Sequence, residues 1–384
     1  MKPFARYGLF EPDPDMRALL RALLDVAEPT EGALALVVRG LAPDANIGLQ
    51  RLIPLALSKP WAARLPPDLR ERCSLERRGA AIRAFAYNNF AIAVVRMLNQ
   101  DGITPLLLKG YPLGRLYYAD AALRPSYDLD FLLKPEDRAP ALRCLRDRGF
   151  EATHPEVLAL NGAAMPSLNH GANGLEMRRA AASFDIDLHW YVLQCSMWED
   201  ADAGFWRRAV AMEVGDGHAV TLGASDHLLH ACMHGRQQND VLPFRWIVDA
   251  GLILTRSESL DWGTVVATAR EHRFPRTLGR CLAYLRDAIG LAVPLEVTDE
   301  LSRAPMPAAD RMYFAMDVAD WTEWSLPRKL VMKYLSYRRL AGSAGSEFPG
   351  FFTWWKSSWN ARTFGELLVG IYTRITAPMR RRER

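Results

Sequence analysis

The sequence has few cysteines and no long apolar run. Its five cysteines lie far apart and none belongs to a C-x-x-C pair, which argues against zinc ribbons and against a disulfide framework. The start of the chain has no continuous apolar stretch, and no segment approaches the length that crosses a bilayer. We therefore expect a cytoplasmic protein with reduced thiols and no transmembrane segment.

Lysine is also scarce. Only seven of the 48 basic residues are lysines, and the formal net charge of +4 is mild for a chain of 384 residues. Composition alone therefore does not predict nucleic-acid binding. Internal repeats and low-complexity tracts are absent as well. The length exceeds what a single hydrophobic core usually supports, so we expect two or three domains.

Hydrophobic periodicity divides the chain into three parts. Apolar residues recur at helical spacing over residues 1–100 and again over residues 225–384, which predicts a helical segment at each end. Residues 101–224 alternate short apolar runs with helical stretches, which is typical of strands and helices in one core unit. The predicted fold class is α+β, with a mixed sheet and helices flanked by N- and C-terminal helical segments.

Two acids stand one residue apart in the apolar stretch "YDLDFLL", residues 127–133. Side chains of a strand alternate between its faces, so Asp128 and Asp130 share one face while Leu129 and Phe131 point to the other. Like charges this close require cations, water or a bound metal. A metal site is one interpretation, and solvated acids on an exposed edge strand are the alternative.

A second stretch, "FDIDLHW" at residues 184–190, has the same alternation. It places Asp185, Asp187 and His189 on one face of a predicted strand. Either aspartate is a candidate partner for the first two acids, and a solvated edge strand is again the alternative. His189 is expected to contact substrate, to orient a carboxylate or simply to pack.

The order of these parts resembles an uncharacterised nucleotidyltransferase family of bacteria, within the polymerase-β-like superfamily. The motifs that carry the resemblance are "LLLKG" (106–110), Arg124, "DLDF" (128–131), "DLHW" (187–190), "HG" (234–235) and "RWIVD" (245–249). They cover about residues 100–255. The resemblance implies a nucleotidyltransferase fold for the predicted sheet.

The resemblance also implies a reaction. It predicts a metal-dependent enzyme that moves a nucleoside monophosphate from an NTP, with ATP expected, to a hydroxyl or phosphate acceptor and releases pyrophosphate. Asp128, Asp130 and Asp187 would be the catalytic carboxylates and would hold two Mg²⁺ ions, with the "DLHW" match favouring Asp187 over Asp185. The acceptor could be a small molecule, a peptide or RNA. A phosphotransferase and a non-catalytic nucleotide-binding protein are the alternatives.

The turn formed by Lys109 and Gly110 is the expected phosphate contact. A glycine lets backbone N–H groups approach phosphate, and the lysine adds a charge. The better-known nucleotidyltransferase pattern has a serine directly after this glycine, which is missing here. We therefore expect Lys109, Gly110, Arg124 and Arg115 to bind the nucleotide. The alternative for Arg124 is pairing with Asp128 or Asp130.

Further residues have weaker interpretations. His227, His230 and His234 share one face of a predicted helix, where they could bind a metal but fit an interface helix equally well. Arg245 and Asp249 could tie the helical segment to the rim of the site, with a surface ion pair as the alternative.

The C-terminal segment interleaves aromatic and basic residues over residues 351–384. This composition suits an anionic membrane surface or RNA. Packing against the rest of the protein is the more common outcome for such a segment.

Overall fold

The computed structural model of the chain describes residues 11–153, 173–180, 182–235, 244–316 and 326–340, with a few further residues between 351 and 369. Within this described part, the helices are too short or too polar to span a bilayer. Most of the aromatic and basic C-terminal segment lies outside the described residues, so its surface contact stays a prediction. The proposed domain boundaries at residues 100 and 224 also stay a prediction.

The described strands form one mixed sheet. They are β1 (Leu106–Leu107), β2 (Asp128–Leu132), β3 (Glu151–Ala152), β4 (Gly174–Arg178), β5 (Asp185–His189), β6 (Val210–Val214) and β7 (Gly217–Thr221). Their order across the sheet is β3-β4-β5-β2-β1-β7-β6. The pairs β2–β5 and β1–β7 are parallel, and the other neighbours are antiparallel.

Helices surround this sheet on both sides. They are α1 (Pro14–Leu23), α2 (Glu31–Gly40), α3 (Ile47–Gln50), α4 (Ile53–Ser58), α5 (Arg70–Gln100), α6 (Gly110–Leu116), α7 (Arg138–Asp147), α8 (Ala203–Arg208), α9 (Ala224–Gly235), α10 (Arg245–Arg256), α11 (Trp262–Glu271), α12 (Pro275–Tyr284), α13 (Leu295–Arg303), α14 (Ala308–Met316) and α15 (Leu326–Leu340). Short 3₁₀ segments connect several of them, and a π-helical turn at Leu285–Ile289 continues α12.

Each face of the sheet is covered by its own apolar core. Leu129 and Phe131 of β2 belong to a core that also contains Val95 of α5. Leu132, on the opposite face of β2, belongs to the second core. That second core also joins α1 to α10, and Gly251 of α10 lies so close to α1 that an added Cβ would be 2.6 Å from a Leu24 methyl. The helices that precede and follow the sheet thus pack together.

The predicted α+β class with a mixed sheet is confirmed. The edge-strand alternatives are wrong, because β2 and β5 are neighbours in the interior of the sheet and not at its edges. Strand β7 was predicted from "HAVTLG" at residues 218–223, but strand β6, and with it the hairpin β6–β7, was not. Its signal was "VGDG" at residues 214–217, where Gly215 adopts a positive φ of 64° between two strands, and glycine is the residue that such tight hairpin turns favour.

A buried ion pair joins the helical layer to the sheet. Arg124, just before β2, donates from Nε to Asp249 Oδ1 at 2.8 Å and from Nη2 to Asp249 Oδ2 at 2.9 Å. The Tyr118 hydroxyl donates to the same carboxylate at 2.7 Å. Burial opposes ionisation of Asp249, but Arg124 outweighs it and lowers the pKa of this carboxyl. Arg124 therefore pairs with Asp249, and the alternative that it pairs with Asp128 or Asp130 is wrong.

This pair predicts a stability difference. Asp249→Asn leaves the buried Arg124 cation without a counter-charge, so we expect the free energy of unfolding to fall by about 3 kcal/mol in urea denaturation. The matched control is Asp25→Asn, which removes an exposed carboxylate that pairs with Lys59. That change should cost less than about 1 kcal/mol. Equal, small losses in both variants would contradict the proposed importance of the buried pair.

Candidate active site

The parallel register of β2 and β5 brings the predicted acids together. Asp130 lies beside Asp187, and Asp128 lies beside Asp185. Leu132 lies beside His189 in the same register. Because residues two apart share a face, Asp130, Asp187 and His189 all face the same side of the sheet.

Lys109 completes this group from the end of β1. Its Nζ donates to Asp130 Oδ1 at 2.5 Å and lies 3.7 Å from Asp187 Oδ2. It also lies 3.1 Å from His189 Nε2. That ring nitrogen is 3.0 Å from both Asp130 Oδ1 and Asp187 Oδ2. We call Lys109, Asp130, Asp187 and His189 the Lys109 cluster.

Opposite charges maintain the ionised forms in this cluster. Burial opposes the charge on Asp130, but Lys109 and His189 outweigh it and lower the pKa of the carboxyl. Burial likewise opposes the charge on Lys109, but Asp130 and Asp187 raise the pKa of the amine. Burial and Lys109 both oppose protonation of His189, yet the two aspartates raise the pKa of its imidazole. The carboxylates therefore have in Lys109 the counter-cation that their closeness demands, and Asp130, only 2 % exposed, is not solvated.

The turn after β1 has a strained backbone. Lys109 has φ 48° and ψ −109°, a region that non-glycine residues rarely adopt, and such a conformation costs about 1–3 kcal/mol. The next residue must be small, because an added Cβ on Gly110 would lie 2.5 Å from Ser126 Oγ. Close packing against Ser126 is therefore a second reason for a glycine at position 110, in addition to the expected approach of its backbone to phosphate.

Asp128 differs from Asp130 in its surroundings. It is the exposed first residue of β2. The neighbouring charge of Asp130, with a further contribution from partial desolvation, raises the pKa of Asp128 to about 6. Asp185, its neighbour on β5, is 3.1 Å from Arg178 Nε. Asp187 rather than Asp185 thus lies with Asp130 in the Lys109 cluster.

The donor atoms fit a divalent cation. Ligand atoms of Asp130, Asp187 and His189 all lie within 4.8 Å of one another, and Asp128 does not share this group. Two carboxylates suit Mg²⁺ or Mn²⁺, and an imidazole nitrogen is a common ligand of transition metals. One ion therefore fits this donor set directly. A second ion, held through Asp128, stays a prediction.

Two cavities meet at the Lys109 cluster. The first cavity, of about 220 Å³, is lined by both acids of β2 and by three arginines, Arg51, Arg124 and Arg245. The second cavity, of about 340 Å³, is lined by Asp187, His189 and Glu176 among others. Lys109, His230 and His234 line both cavities. The cluster therefore lies between an arginine-lined space and a second space at β5.

Two arginines of the first cavity have no carboxylate partner in the described part of the chain. Arg51 Nε is buried without a hydrogen-bond partner, and its guanidinium lies over the Tyr127 ring. Arg245 donates from Nη1 to the Pro125 carbonyl at 2.7 Å. Burial lowers the pKa of Arg245 to about 10, which leaves it charged at neutral pH. Sequence reasoning missed Arg51, which lies in an ordinary helical stretch without a motif.

The remaining candidates fall in different places. His227 is buried between the Tyr117 hydroxyl, 3.0 Å away, and Thr221 Oγ1, 3.2 Å away. His230 and His234 stack with ring centroids 5.9 Å apart. Within the described residues, none of the three belongs to a group that could hold a metal.

Arg115 and Arg245 also have defined surroundings. Arg115 donates to Asn88 Oδ1 at 3.1 Å and lines neither cavity of the site, so its nucleotide contact stays a prediction. Arg245 and Asp249 do tie α10 to the loop before β2, through the Pro125 carbonyl and Arg124. This tie is part of the cavity wall, so the surface ion-pair alternative is wrong.

The mixed sheet, with its acids on neighbouring parallel strands, defines a protein of nucleotidyltransferase-like fold. The family model described as "Uncharacterised nucleotidyltransferase" matches residues 48–290, and the chain belongs to this family. The predicted family is thereby confirmed. No curated protein is significantly similar to the chain. The matched range contains the Lys109 cluster, the three arginines, and His230 and His234, which line both cavities.

The raised pKa of Asp128 predicts a pH effect on stability. In the unfolded chain this carboxyl ionises near pH 4, whereas in the folded protein it ionises near pH 6. Stability is therefore lost as the pH rises through this window, and Asp128→Asn removes the loss. We expect the melting temperature of this variant to exceed that of the wild type increasingly between pH 4 and 7.

The resulting change in the free energy of unfolding should be less than about 1 kcal/mol, because Asp128 is exposed and solvent screens its charge. Differential scanning calorimetry in the presence of EDTA measures it. Glu136→Gln, at an exposed acid remote from the cluster, is the control and should show no such trend. A variant at Asp128 that became relatively less stable as the pH rose would contradict the assignment.

Proposed function

We propose that the chain is a nucleotidyltransferase that moves a nucleoside monophosphate from an NTP, first of all ATP, to an acceptor and releases pyrophosphate. The observation that carries the proposal is the position of the Lys109 cluster, between an arginine-lined cavity and a second cavity. Membership of the nucleotidyltransferase family supports the same reaction class. The proposed acceptor group is a hydroxyl or a phosphate, on a small molecule, a peptide or RNA.

The first cavity is the proposed site of the triphosphate. A triphosphate brings about four negative charges, and Arg51 and Arg245 offer guanidinium groups without a carboxylate partner. Arg124 lines the same cavity but already makes two hydrogen bonds to Asp249. Its proposed contribution is therefore mainly to orient Asp249 and the cavity wall.

Asp130, Asp187 and His189 are the proposed ligands of a divalent ion, and Asp128 is the proposed additional ligand for a second. Bound Mg²⁺ or a similar ion would neutralise the phosphate oxygens as the transfer proceeds. The pairing of β2 with β5 fixes the positions of Asp130 and Asp187 beside each other. Such fixed charges stabilise a transition state without having to reorganise.

The second cavity is the proposed site of the acceptor. An acceptor hydroxyl there would lie next to Asp187, whose carboxylate takes the proton as the oxygen forms its bond to the α-phosphorus. The bond from that phosphorus to the bridging oxygen then breaks, and the electron pair leaves with pyrophosphate. While no ion is bound, His189 Nε2 lies 3.0 Å from Asp187 Oδ2 and positions this carboxylate.

The test of the reaction class uses ATP labelled at either end. The purified protein is incubated with Mg²⁺, candidate acceptors and [α-³²P]ATP or [γ-³²P]ATP. Transfer of the α-label with release of labelled pyrophosphate from the γ-labelled substrate supports the proposal. Transfer of the γ-label with formation of ADP would establish a phosphotransferase instead. Binding of ATP without transfer of either label to any acceptor in the panel would favour the binding-only alternative.

The third carboxylate is tested by a matched pair of variants. Asp187→Asn should lower the transfer rate by at least about 100-fold while ATP still binds, because the proton acceptor is lost. Asp185→Asn should keep most of the activity, since Asp185 is engaged by the exposed Arg178. Steady-state rates and ATP affinity of both variants are measured. An inactive Asp185 variant beside an active Asp187 variant would reverse the assignment.

The triphosphate assignment is tested by affinity for two nucleotides. Arg51→Ala and Arg245→Ala should each weaken ATP binding by about tenfold and AMP binding far less, because AMP lacks the β- and γ-phosphates. Isothermal titration calorimetry measures both affinities. Arg39→Ala, at an exposed position of α2, is the control. Equal losses for ATP and AMP would mean that these arginines maintain the cavity and do not contact the triphosphate.

A further inference from the structure

The Lys109 ammonium occupies the space that a metal ion would need. Its Nζ lies 2.5 Å from Asp130 Oδ1 and 3.1 Å from His189 Nε2. Both residues belong to the donor group that could hold a cation. Asp187 Oδ2, the third donor, is 3.7 Å from Nζ, so a divalent ion about 2 Å from all three donors would lie against the ammonium. The ion and the lysine at its observed position exclude each other.

We propose that Lys109 is an internal counter-ion that competes with a divalent ion for Asp130 and Asp187, and that it leaves the carboxylates for the triphosphate when a nucleotide binds. The proposal rests on the proposed function for the identity of the nucleotide. It goes beyond that function because it assigns two successive partners to the Lys109 ammonium, first the carboxylates and then the triphosphate. Its consequence is that metal and nucleotide bind cooperatively.

The charges of the cluster explain why a counter-ion is needed. Asp130 and Asp187 are direct neighbours across β2 and β5, and Asp130 is almost fully buried. Without a cation, two like charges at this separation would repel strongly, and the buried one would lack solvation. Lys109 supplies the cation while the nucleotide is absent. Metal binding alone must therefore displace an existing ion pair, which lowers the affinity for the metal.

The surroundings of Lys109 offer its ammonium group a second position. Its side chain lines both cavities, and the first contains the two arginines without carboxylate partners. A triphosphate there would offer the ammonium new anionic oxygens as it releases Asp130. The backbone stays in place in this exchange, because Lys109 directly precedes Gly110, which packs so closely against Ser126 that an added Cβ would not fit. The lysine side chain is long and flexible enough to move alone.

The test is Mn²⁺ binding without nucleotide, which electron paramagnetic resonance measures as the loss of the free-ion signal. Lys109→Met removes the competing charge and keeps the apolar stem, so we expect Mn²⁺ to bind at least about tenfold more tightly than to the wild type. The same variant should bind ATP more weakly. Lys134→Met is the control and should match the wild type, because the Lys134 ammonium lies over the Trp206 ring and the residue lines neither cavity.

Two further variants keep the outcome interpretable. The double variant Lys109→Met with Asp130→Asn should lose the gain in Mn²⁺ affinity, which locates the ion in this cluster. Lys109→Gln serves if the methionine variant does not fold, and Mn²⁺ should raise its melting temperature more than that of the wild type. Unchanged or weaker Mn²⁺ binding in the folded Lys109 variant would overturn the proposal, as would a gain that persists in the double variant.

These measurements need neither an acceptor nor turnover. Failure of label transfer with a clear gain in Mn²⁺ affinity would count against the proposed reaction and not against the competition. Normal transfer without that gain would count only against the competition.

Discussion

The site depends on the neutralisation of a buried carboxylate. Asp130 lies in the interior of the sheet, where an isolated negative charge would be unfavourable. Contacts of its carboxylate with Lys109 and His189 stabilise this charge. This requirement fixes the end of β1 against β2 and β5, because the three partners come from three different strands or strand ends. The strained turn at Lys109 is consistent with the same constraint. A backbone conformation that is unfavourable by itself persists where the surrounding contacts demand it.

Much of the sheet could be predicted because it is encoded by local alternation. The apolar positions of β2 and β5 face one core, and the acids occupy the other face, as the period of two requires. The order of the strands across the sheet follows from pairings between distant segments, which no local pattern contains. Sequence reasoning therefore found Asp128 and Asp130 on one face of a strand but left open whether this strand lies at an exposed edge. In the folded protein, strand β2 lies in the interior of the sheet, between β5 and β1.

The site was predicted in part for the same reason. Lys109, Asp130, Asp187 and His189 belong to motifs and were named, although the direct pairing of Lys109 with Asp130 was not foreseen. Arg51 belongs to no motif, and only the fold brings it to the first cavity. The partner of Arg124 was also misjudged, since Asp249 is 125 residues away in sequence. Long-range electrostatic partners depend on tertiary structure and leave no local signal.

The wall of the first cavity has a consequence for dissecting the protein. Arg51, Lys109 and Arg245 come from a helical segment before the sheet, from the sheet and from a helix after it. A truncated fragment restricted to the sheet would keep the carboxylates but lose Arg51 and Arg245, two of the four cationic side chains that line the space beside them. Ligand occupancy should in turn hold these distant segments together, so protection from proteolysis would spread to both flanks of the sheet. The proposed anion-binding surface is a property of the assembled chain and not of any one segment.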